Sequence, residues 1–249
     1  MPISVCMASH NGERFIDDQI DTILAELALE DELIIIDDQS TDRTVELIRR
    51  RQDKRIKLQQ NPQRLGHVAS FAKAIAQAQG GIIVLADQDD VWPENRLTAI
   101  KTAFTDATCL VVAGNFYTID EQGMAVNLPF KRQLYASDSK RYGANLWGIL
   151  QGTRPYYGCA MAFRAGLKQQ ILPIPRYVES HDLWIAMAGN LDRAMQHLDT
   201  EILAKRQHSK NVSSPKRRHW VKVLLSRLMM LVSLITLSWR KRKLKHACD

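Results

Sequence analysis

Three carboxylates fall within four positions at Asp87-Gln88-Asp89-Asp90, at the end of the apolar run Ile82 to Leu85. Packed that closely, they repel one another unless a cation lies among them. Hard oxygen donors suit Mg²⁺ or Mn²⁺, which bind one or two carboxylates together with substrate phosphates. The plainer reading is an acidic turn that caps a helix opening at Pro93-Glu94, since Asp is common in caps and turns. A second pair, Asp37-Asp38, ends the run Leu33 to Ile36 and can accept hydrogen bonds from a ribose or a base imide. Ser40 and Asp42 are at hand to cap the helix that follows, which leaves the pair free for other work. Ser9-His10-Asn11-Gly12 offers backbone and side-chain groups to a nucleobase, or is simply a turn. His181-Asp182 opens a helix, where Asp182 is either a general base on an acceptor hydroxyl or a first-turn carboxylate held by the helix dipole. Arg206-Gln207-His208-Ser209 follows the last strand. His208 is a candidate for a metal or a phosphate, although a lone exposed histidine more often touches neither.

The first hundred residues supply the scaffold for these groups. Ile3 to Ala8, Glu32 to Ile36, Ile56 to Leu58 and Ile82 to Leu85 read as strands. Between them, Glu13 to Leu27, the stretch from Ser40 to Arg51, and Gly66 to Gln79 read as helices, the first with apolar residues at i, i+3, i+4 spacing. Continuous apolar strands separated by helices imply an α/β fold with a mostly parallel central sheet and helices on both faces. Ligands of such sheets bind beyond the carboxyl ends of the strands, where Ser9, Asp37-Asp38 and Asp87-Gln88-Asp89-Asp90 all fall. Farther along, Cys109 to Ile119 reads as a strand and Asp120 to Gly123 as a hairpin turn. The polar stretch Asn127 to Tyr142 is expected to form a flexible loop over the site. Gly158 to Phe163 and Gln196 to Ala204 read as strands, with a helix from His181 to Gly189 between them.

Charge divides the 249-residue chain in two. From Lys205 onward there are 13 Lys/Arg against one acid, which leaves 21 basic and 26 acidic residues before it. An acidic body with a basic tail fits an enzyme carrying an anchor and excludes a domain that grips nucleic acid throughout. After Pro215 an apolar stretch lies between Lys216-Arg217-Arg218 and Arg240-Lys241-Arg242-Lys243. On a helix, Lys222, Ser226, Ser233, Thr236 and Arg240 share one narrow stripe, with Leu, Met, Val and Trp around the rest. Its charge-free core, Leu228 to Trp239, is shorter than the roughly 20 residues of a span. The expectation is a helix in the membrane interface, with Trp220 and Trp239 at headgroup depth and the basic clusters on anionic lipid. The competing reading is a core or dimer helix. The division is then residues 1–214 as a catalytic domain and 215–249 as a basic amphipathic tail. Cys6, Cys109, Cys159 and Cys248 show no paired spacing, which fits a reducing cytoplasm rather than a disulfide framework. The N-terminus carries no secretory signal pattern.

The segments Val5 to Glu13, Leu33 to Asp42, Asp87 to Trp92, Tyr157 to Met161, His181 to Trp184 and Arg206 to Ser213 together resemble family 2 inverting glycosyltransferases of the GT-A nucleotide-sugar-binding fold, near the bacterial rhamnosyltransferase-like branch. The resemblance covers residues 3 to about 213. It implies that Ser9 and Asp38 hold the nucleobase and that Gln88 lies by the ribose. It further implies that Asp89, helped by Asp87, binds Mg²⁺ or Mn²⁺ on the diphosphate, and that Asp182 is the catalytic base. His10 stands where Tyr is common, Ser70 replaces a frequent Asn before Phe71, and Ser180-His181-Asp182 stands where many relatives have Glu-Asp. The implied partners are a nucleoside-diphosphate sugar, led by thymidine-diphosphate rhamnose with uridine-diphosphate hexoses second, a glycan or lipid-linked acceptor, and an anionic membrane surface on the cytoplasmic side. Two alternatives remain. A nucleotidyltransferase shares such a sheet but holds triphosphate on a Gly-rich loop, whereas the loop after the first strand has one glycine here. A non-catalytic membrane scaffold needs only the tail.

Overall fold

In the computed structural model, which describes residues 1–127, 132–208 and 219–246, the chain runs β1 (Ile3–Ser9), α1 (Ile16–Glu26), β2 (Glu32–Asp37), α2 (Thr44–Arg50), β3 (Ile56–Gln60), α3 (His67–Gln77), β4 (Ile82–Ala86), α4 (Arg96–Ala103), β5 (Val111–Ile119), α5 (Tyr142–Gln151), β6 (Met161–Arg164), α6 (Lys168–Ile171), α7 (His181–Leu191), β7 (Met195–Arg206) and α8 (Trp220–His246). The strands form one sheet in the order β3-β2-β1-β4-β6-β5-β7. β6 runs antiparallel to both its neighbours, and every other pairing is parallel. The C-termini of β1, β2 and β4 therefore meet on one side of the sheet.

Side chains alternate between the two faces of a strand, and both faces here are covered. Ile3, Val5 and Met7 of β1 pack with Ile20 and Ile23 of α1 and Ile100 of α4. Cys6 and the β2 residues Ile34 and Ile36 pack on the other face with Phe71 and Ile75 of α3 and Trp184 of α7. This double burial is why β2 and β4 read as unbroken apolar runs.

Three local expectations change. The first helix begins at Ile16 instead of Glu13, because Gly12 O accepts from both Phe15 N and Ile16 N and turns the chain first. The segment from Gly158 is a short 3₁₀ turn through Ala160 before β6 begins at Met161. The described part of the stretch 127–142 is no loop over the cleft, and residues 128–131 lie outside the described residues. Leu134 is buried, and its N–H and C=O pair with the Asn115 side-chain amide at 2.8 and 2.9 Å. Ala136 N donates to Asp199 at 2.7 Å. Asn115 and Asp199 thus pin the segment beside β5 and β7.

α8 packs on α5, α6 and α7, with Leu237, Met230 and Leu234 joining the second core layer. Its orientation is the reverse of an ordinary surface helix. Ser226, Ser233 and Leu237 are buried, while Leu224, Leu225, Leu228, Leu231, Ile235 and Trp239 are exposed. The part of the polar stripe turned to the protein finds its partners within the fold. Ser233 and Thr236 donate to the carbonyls of Met229 and Val232 one turn back, and Thr236 also meets the Tyr177 hydroxyl. Arg240 donates to Gln170 O and Pro173 O. The apolar residues are left for the outside. By length and composition the helix is long and apolar enough to cross a bilayer, with a mean hydropathy of 1.8 over 18 residues.

Candidate active site

A cleft of about 1640 Å³ opens at the strand C-termini. That exceeds the ~300–1000 Å³ of a site for one drug-sized ligand and leaves room for two substrates. Ser9, Asp38, Asp87, Gln88, Asp89, Asp182 and His208 all line it.

The loops after β1 and β2 are laced together into one wall. Asn11 N donates to Ser40 Oγ, Thr41 N to Asn11 Oδ1, Gly12 N to Thr44 Oγ1, and Glu13 N to Asp42 Oδ2. Of the two expected helix caps, Asp42 takes the Thr44 N–H at 3.0 Å, whereas Ser40 turns back to donate to Asp37. Ser9 is buried and also donates to Asp37, at 3.1 Å. Asp38 receives Asn61 Nδ2, Leu65 N and Gly66 N at 2.7–2.8 Å. Burial alone raises the Asp38 carboxyl, but these donors, Leu65 N–H foremost, outweigh it and hold the pKa below the usual carboxylate range. Asp38 thereby shapes the entry to α3, where Gly66 takes φ +85°, a conformation suited to glycine. Gln88 is clamped to the same loop. Its amide accepts from His10 N at 2.8 Å and donates to His10 O at 3.1 Å. A Cβ at Gly12 would fall 2.5 Å from Gln88 Oε1, so the close approach requires glycine. Ser9, Asp38 and Gln88 line the cleft with their side chains already bonded within the protein.

The acidic turn after β4 does not cap α4, whose first amides Asn95 N and Leu97 N are taken by Glu26 of α1. It splits in two directions instead. Asp89 meets His208 Nε2 at 2.7 Å, and the His208 ring lies 4.9 Å from Phe15. Burial, then the neighbouring Asp87, raises the Asp89 carboxyl above its ordinary pKa, while His208 pulls it down. Asp87 faces the other way, with ligand-type oxygen and sulfur atoms of Asp87, Asp90 and Cys159 lying within 4.8 Å of one another. Lys205 Nζ comes within 3.8 Å of both Asp87 Oδ2 and Cys159 Sγ. Asp90 is fully buried. One of its oxygens accepts Arg206 N at 2.9 Å, and burial pushes its pKa up to about 7. Arg206 lies against Phe15 and donates to the carbonyls of Asp89 and Glu121. Below this layer, buried Arg96 donates to Ile202 O at 2.7 Å and Cys159 O at 2.6 Å, with its guanidinium 4.3 Å from the Trp92 ring. Burial lowers its pKa to about 10.

Two metal-type groupings thus adjoin. In Asp89 and His208, a carboxylate oxygen and an imidazole nitrogen already converge at hydrogen-bond distance. That donor set suits Mn²⁺ and tolerates Mg²⁺. The second grouping includes Cys159, whose thiol is pushed well up by burial and is a soft ligand out of character for either ion.

Opposite these groups, Ser180 is the N-cap of α7, its Oγ accepting from Leu183 N. Asp182 shares that N–H with the cap. Its Oδ1 takes Leu183 N and the Ser180 hydroxyl, and its Oδ2 takes Gly158 N at 3.2 Å. Beside it, buried His181 stacks on Phe71 at 4.0 Å, and neither ring nitrogen has a hydrogen-bond partner among the described residues. Burial lowers its pKa and keeps it neutral. Lys222, Ser226, Met229, Met230 and Ser233 of α8 complete the wall on this side. Sequence reasoning placed Asp90 in the acidic cluster without a separate role, and it missed Lys205, Arg96 and the unpartnered nitrogens of His181. A lysine in a basic run and a histidine in an apolar helix carry no local signal of these contacts.

The doubly covered sheet, with its ligand cleft at the strand ends, is GT-A-like. Residues 4–169 match the family model of glycosyl transferase family 2, and the chain belongs to that family. It is 29% identical over 122 residues to an Escherichia coli protein named UDP-Glc:alpha-D-GlcNAc-diphosphoundecaprenol beta-1,3-glucosyltransferase WfgD, covering 49% of this chain and 48% of that one. Across the curated relatives it matches, the chain spans about half their length. Among solved structures it is similar to Staphylococcus aureus TarS 1-349 in complex with UDP-GlcNAc, with TM-score 0.72, 18% identity, and coverage of 94% of this chain and 66% of that one. It also resembles the mannosyltransferase PcManGT from Pyrobaculum calidifontis in complex with GDP-Man and Mn²⁺, with TM-score 0.60, 16% identity, and coverage of 98% and 75%.

Proposed function

We propose that this chain is a metal-dependent, inverting glycosyltransferase that moves a sugar from a nucleoside diphosphate to an acceptor hydroxyl in bacterial surface polysaccharide or glycan synthesis. The observation that carries the reading is the opening of Asp89-His208 and Asp182 into one cleft of a family 2 chain. Asp89 and His208 would hold a divalent ion, with Asp87 beside them, and when bound the ion neutralises charge on the departing diphosphate. The loops bearing Ser9, Asp38 and Gln88 form the wall for the base and ribose. Asp182 removes the proton from an acceptor hydroxyl aligned behind the anomeric carbon. The new C–O bond forms as the bond to the diphosphate breaks, so a single displacement inverts the configuration. The donor sugar is rhamnose or another hexose. The nucleotidyltransferase alternative loses ground because the loop after β1 is committed to lacing against the next loop, without a free glycine-rich cradle.

The acceptor is a glycan or a lipid-linked glycan. The chain works on the cytoplasmic face of the membrane, with residues 1–214 as catalytic domain and 215–249 as the membrane-associating tail. Support comes from the outward leucines of α8, the exposure of Trp220 and Trp239, and the basic residues at its end.

Asp182→Asn tests the catalytic assignment. The amide matches the carboxylate in size, and Ser180 keeps the cap, so folding and donor binding should persist. Transfer should fall by about 10²- to 10⁴-fold, the usual contribution of a positioned base. Near-wild-type transfer with unchanged melting would remove Asp182 from the mechanism.

A further inference from the structure

The grouping of Asp87, Asp90 and Cys159 has the compactness of a metal site, yet a cation already lies against it. Lys205 arrives from the end of β7 and brings its ammonium to 3.8 Å from Asp87 Oδ2 and 3.8 Å from Cys159 Sγ. Its side chain is only 19% exposed, so the charge stays with the cluster and is not free to swing into solvent. Asp90, with no exposed surface, keeps one carboxylate oxygen without a hydrogen-bond partner among the described residues. Buried carboxylates in this arrangement need a nearby positive charge, and here the chain supplies one itself. On the other side of the turn, Asp89 Oδ2 meets His208 Nε2 at 2.7 Å.

We infer that Lys205 is a resident cation occupying the Asp87–Asp90–Cys159 grouping, so that a divalent ion is confined to Asp89 and His208 and the free protein binds one such ion, not two. The inference rests on the metal-dependent reading above and refines it. Asp87 becomes the partner of Lys205 and shapes the site without ligating the ion. Lys205 is a positioning residue: it balances the carboxylates before any donor arrives, so the strand ends do not spring apart when the cleft is empty. Such preorganisation means that the charges need little rearrangement when the diphosphate enters.

The test is metal titration of the full-length protein without donor. Cd²⁺ bound by Cys159 gives a thiolate charge-transfer band in the ultraviolet, a signal that Asp89 and His208 cannot produce. Wild-type protein should bind one Mn²⁺ by calorimetry and show no Cys159-dependent band with Cd²⁺. Lys205→Met should bind a second Mn²⁺ and develop the band, and the additional Cys159→Ser change should abolish it. Lys205→Arg, which keeps the charge, should behave as wild type. Unpaired carboxylates will destabilise Lys205→Met, but ions that bind only the folded state raise its melting point. Mn²⁺ should therefore raise the melting temperature of Lys205→Met by more than that of wild type. Lys205→Gln provides a second uncharged variant with the same expected outcome. A Cys159-dependent band in wild-type protein would overturn the inference without recourse to any variant, as would folded uncharged variants that gain neither ion nor band. Because no transfer is measured, failure here leaves the Asp182 result standing, and the reverse also holds.

Discussion

Replacing Leu228, Leu231 and Ile235 together by serine strips the middle of the outward face of α8. These side chains are 50%, 47% and 70% exposed, so roughly half of each remains to be buried by a bilayer. Full burial of a Leu or Ile side chain is worth about 1.5–3 kcal/mol, which gives about 1 kcal/mol for each half and about 2–4 kcal/mol for the three. At 1.4 kcal/mol per decade, affinity for anionic vesicles should fall by roughly 30- to 1000-fold in a sedimentation assay. Folding should be far less affected. A cost of about 0.5 kcal/mol at each partly exposed position lowers the melting point by roughly 3–6 °C for a chain of this size. Leu237→Ser is the converse control. Leu237 is completely buried on the inner face, so its loss should cost about 2–5 kcal/mol of stability while leaving the vesicle-facing surface intact. Unchanged vesicle affinity in the triple variant would refute the membrane assignment. A halving of the mass of wild-type protein on making the same change would identify the covering surface as a second copy of the chain.

Other consequences are open to direct measurement. Arg96→Met should destabilise the fold by about 2–6 kcal/mol, since the carbonyls of Ile202 and Cys159 lose their buried donor at about 1–3 kcal/mol each; denaturant midpoints within error of wild type would contradict this. Asp89→Ala should weaken Mn²⁺ binding by at least about tenfold, and calorimetry showing unaltered affinity would dismiss the Asp89–His208 site. His197 is buried, and burial lowers its pKa below the ordinary 6.5; the unfolded chain then takes up the proton first, so stability is present above pH 6.5 and declines as pH falls below it. His197→Gln should flatten that decline without abolishing it, because His181 is displaced in the same direction, and an unchanged slope in pH-dependent unfolding would count against the assignment.

β1, β2 and β4 were readable because a strand buried on both faces must be apolar throughout, and Ile34, Ile35 and Ile36 are all fully buried, whereas the edge strand β3 is partly exposed and shows only Ile56 and Leu58. The converging strand-end clusters were readable for the same topological reason. What the sequence does not carry is direction and partnership. Helical periodicity puts Ser226, Ser233, Thr236 and Arg240 on one stripe, yet it does not say which side faces the protein. The usual preference for polar residues outside fails here because each finds a carbonyl, hydroxyl or carboxylate within the fold. Polar composition likewise marked 127–142 as loose, although one amide, Asn115, secures Leu134 through both its donor and its acceptor. Gln88, assigned to a ribose by resemblance, spends its amide on the backbone of His10. A side chain that braces a neighbouring loop and one that reads a ligand have the same composition.

The layered charges beneath the cleft explain how three acidic groups can sit together in one turn. Arg96 lies lowest and binds carbonyls from within β7 and the turn before β6, with a longer contact of 3.5 Å to Leu85 of β4. The carboxylates of Asp87, Asp89 and Asp90 form the next layer, and Lys205, Arg206 and His208 engage that turn from β7 and its extension. Arg96 thus stands on one side of the carboxylates, with Lys205 and Arg206 on the other. On the metal-dependent reading proposed above, a diphosphate entering alone would face Asp87 and Asp89 in the cleft lining with no ion between them. A diphosphate arriving with a divalent ion would bring a cation for Asp89 and His208 to share, and on that reading the site would favour the metal-bound donor over the free nucleotide.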